Sequence, residues 1–378
     1  MASPDTLDFE RLLKPISAEK PAGVELKENS ALSPAYFKVK DARETARGAE
    51  RKQAQAISAG EPESGGDPPN WKVVFELTTN ALADHSKDLW IAAWLIEALV
   101  RLHGFAGLRD GFRLVRELSE TYWDDIHPRP DDEGYATTVA QLTGLNGDDS
   151  QGALIPPIAD IPLTASPNHG ELTSADHLDA MELEQVADPA KRSQRIEQGV
   201  VSLELFDKAA ADTPVEFFRE TLADLDQAIA EFSRLTEVLG ERCGNDASGY
   251  SVAPPSSNIA NALSACRDRL ASLSRHVLGS EAEAGADGEL AADGTPGSLT
   301  VDKSRMPTRE DAFRSLLQVA DFFRRTEPHS PVSYALEQAV RWGRMPLPEL
   351  LQELISDEAV RKDLFRRTGI GPGDAPSG

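Results

Sequence analysis

The chain has 378 residues, enough for two or three domains, and carries 39 basic against 63 acidic side chains, a formal charge of −24. A field of that sign repels nucleic acid and anionic lipid, so neither is expected as a partner. The charge is also uneven: residues 303–378 hold 12 basic and 11 acidic side chains, which leaves −25 on the first 302.

From the N-terminus, residues 1–14 predict a short helix carrying Leu7, Phe9, Leu12 and Leu13. Met1-Ala2-Ser3-Pro4-Asp5 is not followed by an apolar secretory core, so a cytoplasmic protein is expected. Pro15 to Pro34 reads as irregular. A helix from Pro34 past Arg47 follows, then a proline- and glycine-rich loop from Gly60 to Pro69 that is expected to be mobile. Trp71, Val74, Phe75, Thr78 and Leu82 share one face at helical spacing. Ser86 is expected to cap the next helix, with Asp88 in its first turn, where a carboxylate suits the dipole. That helix, Leu89 to Leu102, is apolar nearly all round through Trp90, Ile91, Trp94, Leu95, Ile96 and Leu99, the pattern of a helix buried on every side. It is too short to span a membrane, contains Glu97 and should stop at His103-Gly104, where glycine can end it. A third helix follows Gly107 with Leu108, Phe112, Val115 and Leu118 and ends near Trp123. Gly107 and Gly111 read as sites of close helix packing. Trp90 and Trp94 read as core, and Trp123 with His127-Pro128 as the closure of the domain.

Residues 146–169 are expected to be an extended connector, because the three prolines of the 153–164 stretch disfavour a helix. Residues 170–280 form a middle helical-hairpin or bundle domain. Pro214 opens a helix in which Phe218, Leu222, Leu225, Ile229, Phe232, Thr236 and Leu239 follow a near-heptad spacing. Ile259, Leu263, Cys266, Leu270, Leu273 and Val277 repeat it after Pro254-Pro255. The pair predicts an antiparallel helical hairpin, whose seams serve either as core within one chain or as a contact between subunits. Cys243 and Cys266 are too few for a disulfide framework and read as reduced. Residues 281–303 hold five acidic side chains before Thr300, together with many glycines and alanines, and read as a flexible acidic linker.

Beyond the linker, residues 304–372 predict a small helical unit. Thr308 and Asp311 suit a capping pair, with Phe313, Leu316, Leu317, Ala320 and Phe323 facing inward. Ser330 and Pro331 open a second helix after Glu327-Pro328-His329, with Trp342 near its end. Pro348 opens a third with Leu350, Leu351, Leu354 and Ile355. Phe322 and Trp342 are candidates for core or interface.

Catalytic patterns are weak. Ser17-Ala18-Glu19-Lys20 fits a Ser-x-x-Lys pattern but lacks companion motifs. His169 and His177 with Asp176 and Asp179 match no standard zinc spacing. No phosphate-cradling glycine loop is present. No catalytic, cofactor-binding or metal-binding residue is assigned, and no cofactor is expected.

Five separated motifs occur in order: Pro21-Ala22-Gly23-Val24-Glu25-Leu26; Asn70-Trp71; Ser86-Lys87-Asp88-Leu89; Leu102-His103-Gly104-Phe105-Ala106-Gly107-Leu108 with Gly111; and Tyr122-Trp123-Asp124-Asp125-Ile126-His127-Pro128. Together they resemble the ImpA N-terminal domain of the TssA family of the type VI secretion system. The likeness departs at Val24-Glu25, where the family usually shows a Glu-Asp pair. The resemblance implies that the motif residues, with Trp94 among them, are structural or docking positions. The Glu327-to-Pro331 turn and the Arg341-to-Leu347 run resemble TssA C-terminal regions, and there Phe313, Phe322, Phe323, Glu327, Pro328, Ser330, Pro331, Trp342, Leu350 and Leu354 are oligomerisation candidates.

The expected whole is all-α: multi-domain helical bundles, with residues 1–145 as the ImpA-type unit, and a flexible acidic linker before a small oligomerisation domain. The resemblance implies a non-enzymatic, ring-forming assembly protein at the baseplate or distal sheath end. It would contact baseplate, sheath and tube proteins without inserting into the membrane. A helical adaptor of another complex, or a cell-wall hydrolase, are the alternatives.

Overall fold

The computed structural model describes residues 2–132, 134–148, 150–246, 249–284 and, further on, 313, 316, 317, 320, 324, 332–345, 350, 351 and 353. Two compact units result, residues 1–289 and 290–378. Among the described residues the fold is helical, and extended backbone meets only in isolated bridges.

The first unit contains eleven α-helices among its described residues: Phe9–Leu13 (α1), Ser33–Ser58 (α2), Trp71–Asp84 (α3), Leu89–Tyr122 (α4), Ala136–Asn146 (α5), Ile155–Ala159 (α6), Ser174–Glu184 (α7), Pro189–Glu197 (α8), Leu203–Ala211 (α9), Val215–Cys243 (α10) and Ser257–Ala284 (α11). The organising element is α4. Leu89, Ile91, Leu95, Ile96, Leu99, Leu108, Phe112 and Leu118 along it are all nearly inaccessible to solvent. A helix apolar around its whole circumference must be covered on every side. Here α3, α5 and α10 supply most of the cover.

α4 runs on beyond the predicted stop, but not straight. Gly104 takes φ 53° and ψ −130° and reverses the chain. A Cβ on Gly107 would lie 2.3 Å from the Leu99 carbonyl oxygen, and one on Gly111 would lie 2.9 Å from Ile96 Cγ1. The arm after the break therefore folds back along the arm before it, and the two glycines permit the approach. The Leu89–Asp125 span is apolar and long enough to cross a membrane on composition alone. It is instead doubled over, with its most apolar window 78% buried inside the unit.

Four expectations need correction. Asp88, not Ser86, caps α4, accepting hydrogen bonds from the backbone N–H of Trp90 at 2.8 Å and Ile91 at 3.2 Å. Ser86 lies two residues too early and is fully buried. Residues 146–169 are not simply extended. α6 forms there because Pro156 sits in its first turn, where a missing N–H costs nothing. The linker does not begin at Glu281, since α11 continues through the strong helix formers Glu281-Ala282-Glu283-Ala284; the rest of 281–303 lies outside the described residues. Finally, one continuous apolar core runs from Leu7 to Leu270, so the boundaries drawn at 145 and 170 pass through packed structure.

α10 joins the halves. Its Phe232 ring stands 4.9 Å from that of Phe112 on α4, and its Phe218, Leu225 and Leu239 belong to the same core. α11 returns along α10, with Arg267 donating to Asp226. From Phe218 to Leu239 and from Ile259 to Leu273 the apolar side chains of the two near-heptad seams pack into this chain's own core. The start of α11 is held by another element: the Asn146 side chain accepts the Ile259 N–H at 3.0 Å.

In the second unit, helix Val332–Arg344 is described. A Cβ on Gly343 would fall 2.6 Å from the Phe313 ring, so the two segments touch there.

Candidate functional site

Three of the five sequence motifs converge on one knot. The Lys87 N–H donates to the Ala22 carbonyl (2.8 Å), the His127 N–H to the Lys87 carbonyl (3.0 Å), and the Leu89 N–H to the His127 carbonyl (2.8 Å). Segments around residues 22, 87 and 127 therefore lie side by side. Gly23 makes this possible. Its φ is +79°, and a Cβ would sit 2.1 Å from the His85 carbonyl oxygen, so backbone meets backbone where no side chain fits.

Lys87 is the least expected member, because its side chain is fully buried. Its ammonium donates to the carbonyls of Leu12 (2.7 Å) and Leu82 (2.8 Å). These oxygens lie in the last turns of α1 and α3, where carbonyls lack helical partners and the dipole is negative. One cation thus closes two helices. Tyr122 assists from the end of α4, donating its hydroxyl to the Leu13 carbonyl at 2.6 Å, while its ring lies 5.9 Å from the ammonium. Burial pushes the Lys87 pKa down to about 8, with Asp84 opposing. Burial likewise pushes the neighbouring Asp88 carboxyl up to about 6, against the two backbone hydrogen bonds it accepts. His127 is held below its ordinary range by the same cause.

The other motif residues serve different parts of the unit. Leu26 and Leu89 are core, and Pro128 is buried beside His127. The ring of Trp123 stacks at 4.7 Å on Tyr135. Trp94 donates to Gln141 at 3.0 Å. Trp71 lies in a separate small cluster with Ala46, Val74 and Ala98, donates to Glu50 at 2.6 Å, and carries the Arg101 guanidinium 4.0 Å above its ring. Gly104, Gly107, Leu108 and Gly111 build the reversal of α4. Most of these side chains are buried and act by shaping the unit. A partner can meet only what they hold at the surface.

A second polar centre escaped the motif reading. Arg109 on α4 donates to Asp110 (2.7 Å) and to Asp224 of α10 (2.8 Å), and all three are buried. Asp110 also accepts from the Thr6 hydroxyl at 2.8 Å, and Asp224 from the Ser3 N–H at 2.9 Å. This network ties the N-terminal segment and α10 to α4. A third pair, Arg43 and Glu97 at 2.6 Å, joins α2 to α4. The sequence signal for both was a charge inside an apolar helix, which can stay buried only when paired.

Elsewhere, His177 meets Phe206 edge to face, and Asp176 closes a capping box with Thr173 at the start of α7. Among the described residues no group of three or more His, Cys, Asp or Glu is arranged to hold a metal ion. In the second unit Trp342 donates to Glu353 at 3.1 Å, and the Arg344 guanidinium lies 5.5 Å above the Phe313 ring. Leu350 is half-buried. Phe322, Phe323, Glu327, Pro328, Ser330, Pro331 and Leu354 lie outside the described residues.

Residues 13–147, which contain the knot, match the family model described as ImpA, N-terminal, type VI secretion system. Over 369 residues the chain is 28% identical to the type VI secretion system component TssA1 of Pseudomonas aeruginosa, covering 95% of this chain and 98% of that protein. The chain carries an ImpA N-terminal region over residues 13–147 and is similar to TssA1 along nearly its whole length. It is a component of the type VI secretion system. The fold is similar to a solved N-terminal domain, including the conserved ImpA_N region, of the TssA component from Burkholderia cenocepacia. The TM-score is 0.58 at 22% identity, covering 73% of this chain and 98% of that one.

Proposed function

We propose that this TssA-like protein is a non-enzymatic, ring-forming assembly component. Residues 304–372 build the ring, and the unit before them docks on baseplate and sheath or tube proteins and primes or coordinates their polymerisation. The protein works in the cytoplasm, at the baseplate or the distal sheath end. The observation that carries this reading is the likeness to TssA1, which runs across both units rather than stopping at the ImpA-type region. Charge supports the division of labour: residues 303–378 are nearly neutral and can approach one another, whereas the remainder is strongly negative and resists it. Many copies of a weak docking unit on one ring would attach firmly through multivalency.

Light scattering of the full-length protein, beside a chain ending at Thr300, tests the proposal together with a secretion assay. The full-length protein is expected to have a mass many times that of one chain. The shortened form should remain folded, be much smaller and no longer support secretion. An unchanged mass after truncation would place oligomerisation in the first unit.

A further inference from the structure

One face of the first unit holds a cleft of about 820 Å³ between α2, the reversal of α4 and the segment around α6. Its walls are of two kinds. Pro156, Pro157 and Ile161 form an apolar side, and Ile57 and Leu102 at the rim are 66% and 39% exposed. The other side carries arginines on α2 and α4.

These arginines differ in how far they are neutralised. Arg101 is fully engaged: it donates to Glu50 at 2.5 and 3.0 Å and to the Glu97 carbonyl at 2.8 Å. Arg43 takes one oxygen of Glu97. Arg47 reaches the other oxygen of that carboxylate only at 3.9 Å, beyond hydrogen-bond distance. Arg51, exposed on the cleft wall, has no carboxylate partner among the described residues. Arg43, Arg47 and Arg51 stand at successive four-residue steps, so like charges face one another along α2, which costs a helix stability. A second hollow of about 370 Å³ adjoins the cleft and shares Arg47, Gln151 and Ala153 with it. Glu97 lines this hollow, and its Oε2 is buried without a hydrogen-bond donor. Such an acceptor is costly unless something supplies a donor. Asp160 across the cleft adds one negative charge. The lining arginines still outnumber the lining carboxylates, on a chain of net charge −24.

We infer that this cleft is a docking site for an acidic segment of a partner protein. The segment carries two carboxylates one helical turn apart, which meet Arg47 and Arg51. An apolar side chain between them packs against Ile57, Leu102 and Pro157, and a backbone N–H of the same segment reaches Glu97 Oε2. The helix-in-groove mode of recognition has this combination of an apolar anchor with flanking charges. Nucleic acid fits less well, because the surrounding field repels a polyanion and the far wall is apolar. The inference rests on the docking role proposed above.

The test uses the full-length protein and a displayed library of random 12-residue peptides. Selected peptides are then titrated by fluorescence anisotropy against the wild type, the double variant Arg47→Glu/Arg51→Glu, and Lys52→Glu as an exposed control outside the cleft. Peptides with paired acidic residues around an apolar one are expected. Their affinity should fall by roughly tenfold or more in the double variant and change less than twofold in the control. It should also weaken as salt is raised. The proposal is overturned if no peptide is selected, if the winners are not acidic, or if they bind the double variant as well as the wild type. Displacement by millimolar inorganic phosphate would instead make the cleft a small-anion site and overturn the peptide assignment. Circular dichroism checks that the variant is folded. Light scattering of the same variant keeps the two readings apart: a retained ring with lost peptide binding supports the cleft, and a small species in the wild type counts against the ring alone.

Discussion

The knot around Lys87 and the network around Arg109 are both buried and polar, and both pin the N-terminal segment to the helical core, yet they are built on opposite plans. The knot joins segments through backbone groups, with Gly23 removing a side chain so that carbonyl and amide can meet, and Lys87 serving carbonyls only. The network is centred on charge, one guanidinium facing two carboxylates from different helices, and the N-terminal segment is hydrogen-bonded onto those carboxylates. A backbone junction demands particular residues in order, such as a glycine with positive φ or a lysine long enough to reach two helix ends. A charge junction demands only that opposite signs meet, wherever in the chain they come from. The first therefore leaves a motif and the second does not.

Removing the charge partner should break this contrast most severely. Arg109→Ala leaves Asp110 and Asp224 buried without their cation, and a loss of about 3 to 5 kcal/mol is expected in the denaturant unfolding of the full chain. A loss below 1 kcal/mol would mean that apolar packing alone holds α10 to α4.

The knot should answer to pH. Asp88 has a folded pKa of about 6 against an ordinary 3.8, so the folded state binds the extra proton between those values. Its contribution to stability therefore falls as pH rises through that window and is lowest above 6. At neutral pH this penalty amounts to about 3 kcal/mol relative to acid. Asp88→Asn keeps an acceptor for the cap without the charge. Comparing unfolding at pH 7 and pH 5, the variant should lack the wild type's acid-side gain from this site. Parallel pH dependence of the two proteins would show that the carboxylate is not so perturbed.

Gly23→Ala sharpens the backbone half of the comparison. It forces a Cβ against the His85 carbonyl and a left-handed backbone on alanine, for a loss of about 1 to 3 kcal/mol in thermal or denaturant unfolding. An unchanged midpoint would mean that the knot relaxes easily. The smallest effect belongs away from both centres. Thr173→Ala removes the capping box of α7 and should cost about 1 kcal/mol, seen as faster hydrogen exchange in its first turn.

This contrast also sets what the sequence disclosed. Periodicity was enough for α3, for the apolar character of α4 and for the hairpin of α10 and α11, because each buries a regular stripe. The convergence of residues 21–26, 86–89 and 123–128 was visible as motifs, though not as contacts. Ser86 attracted the cap assignment because serine favours that position, but the helix begins two residues later, where Asp88 satisfies two N–H groups. The prolines of 153–164 argued against a helix, yet α6 tolerates Pro156 in its first turn. The partnership of Arg109 with Asp224 spans 115 positions and has no local signature. The same holds for Arg43 with Glu97, and for the cleft, whose walls come from three stretches far apart in the chain.

The doubling-back of α4 has a consequence for the order in which the molecule is made. Its two arms are neighbours in sequence, so they can pair within microseconds of emerging from the ribosome. The largest part of their cover, α10, begins only at Val215. For the time taken to synthesise the intervening chain, a nascent protein leaves exposed the apolar face of α4 that α10 will cover, the condition under which partly made chains associate wrongly. Stalled nascent chains ending before Val215 are expected to recruit holdase chaperones, and chains extended past Cys243 to release them. Equal recruitment at both lengths would show that the doubled helix shelters itself.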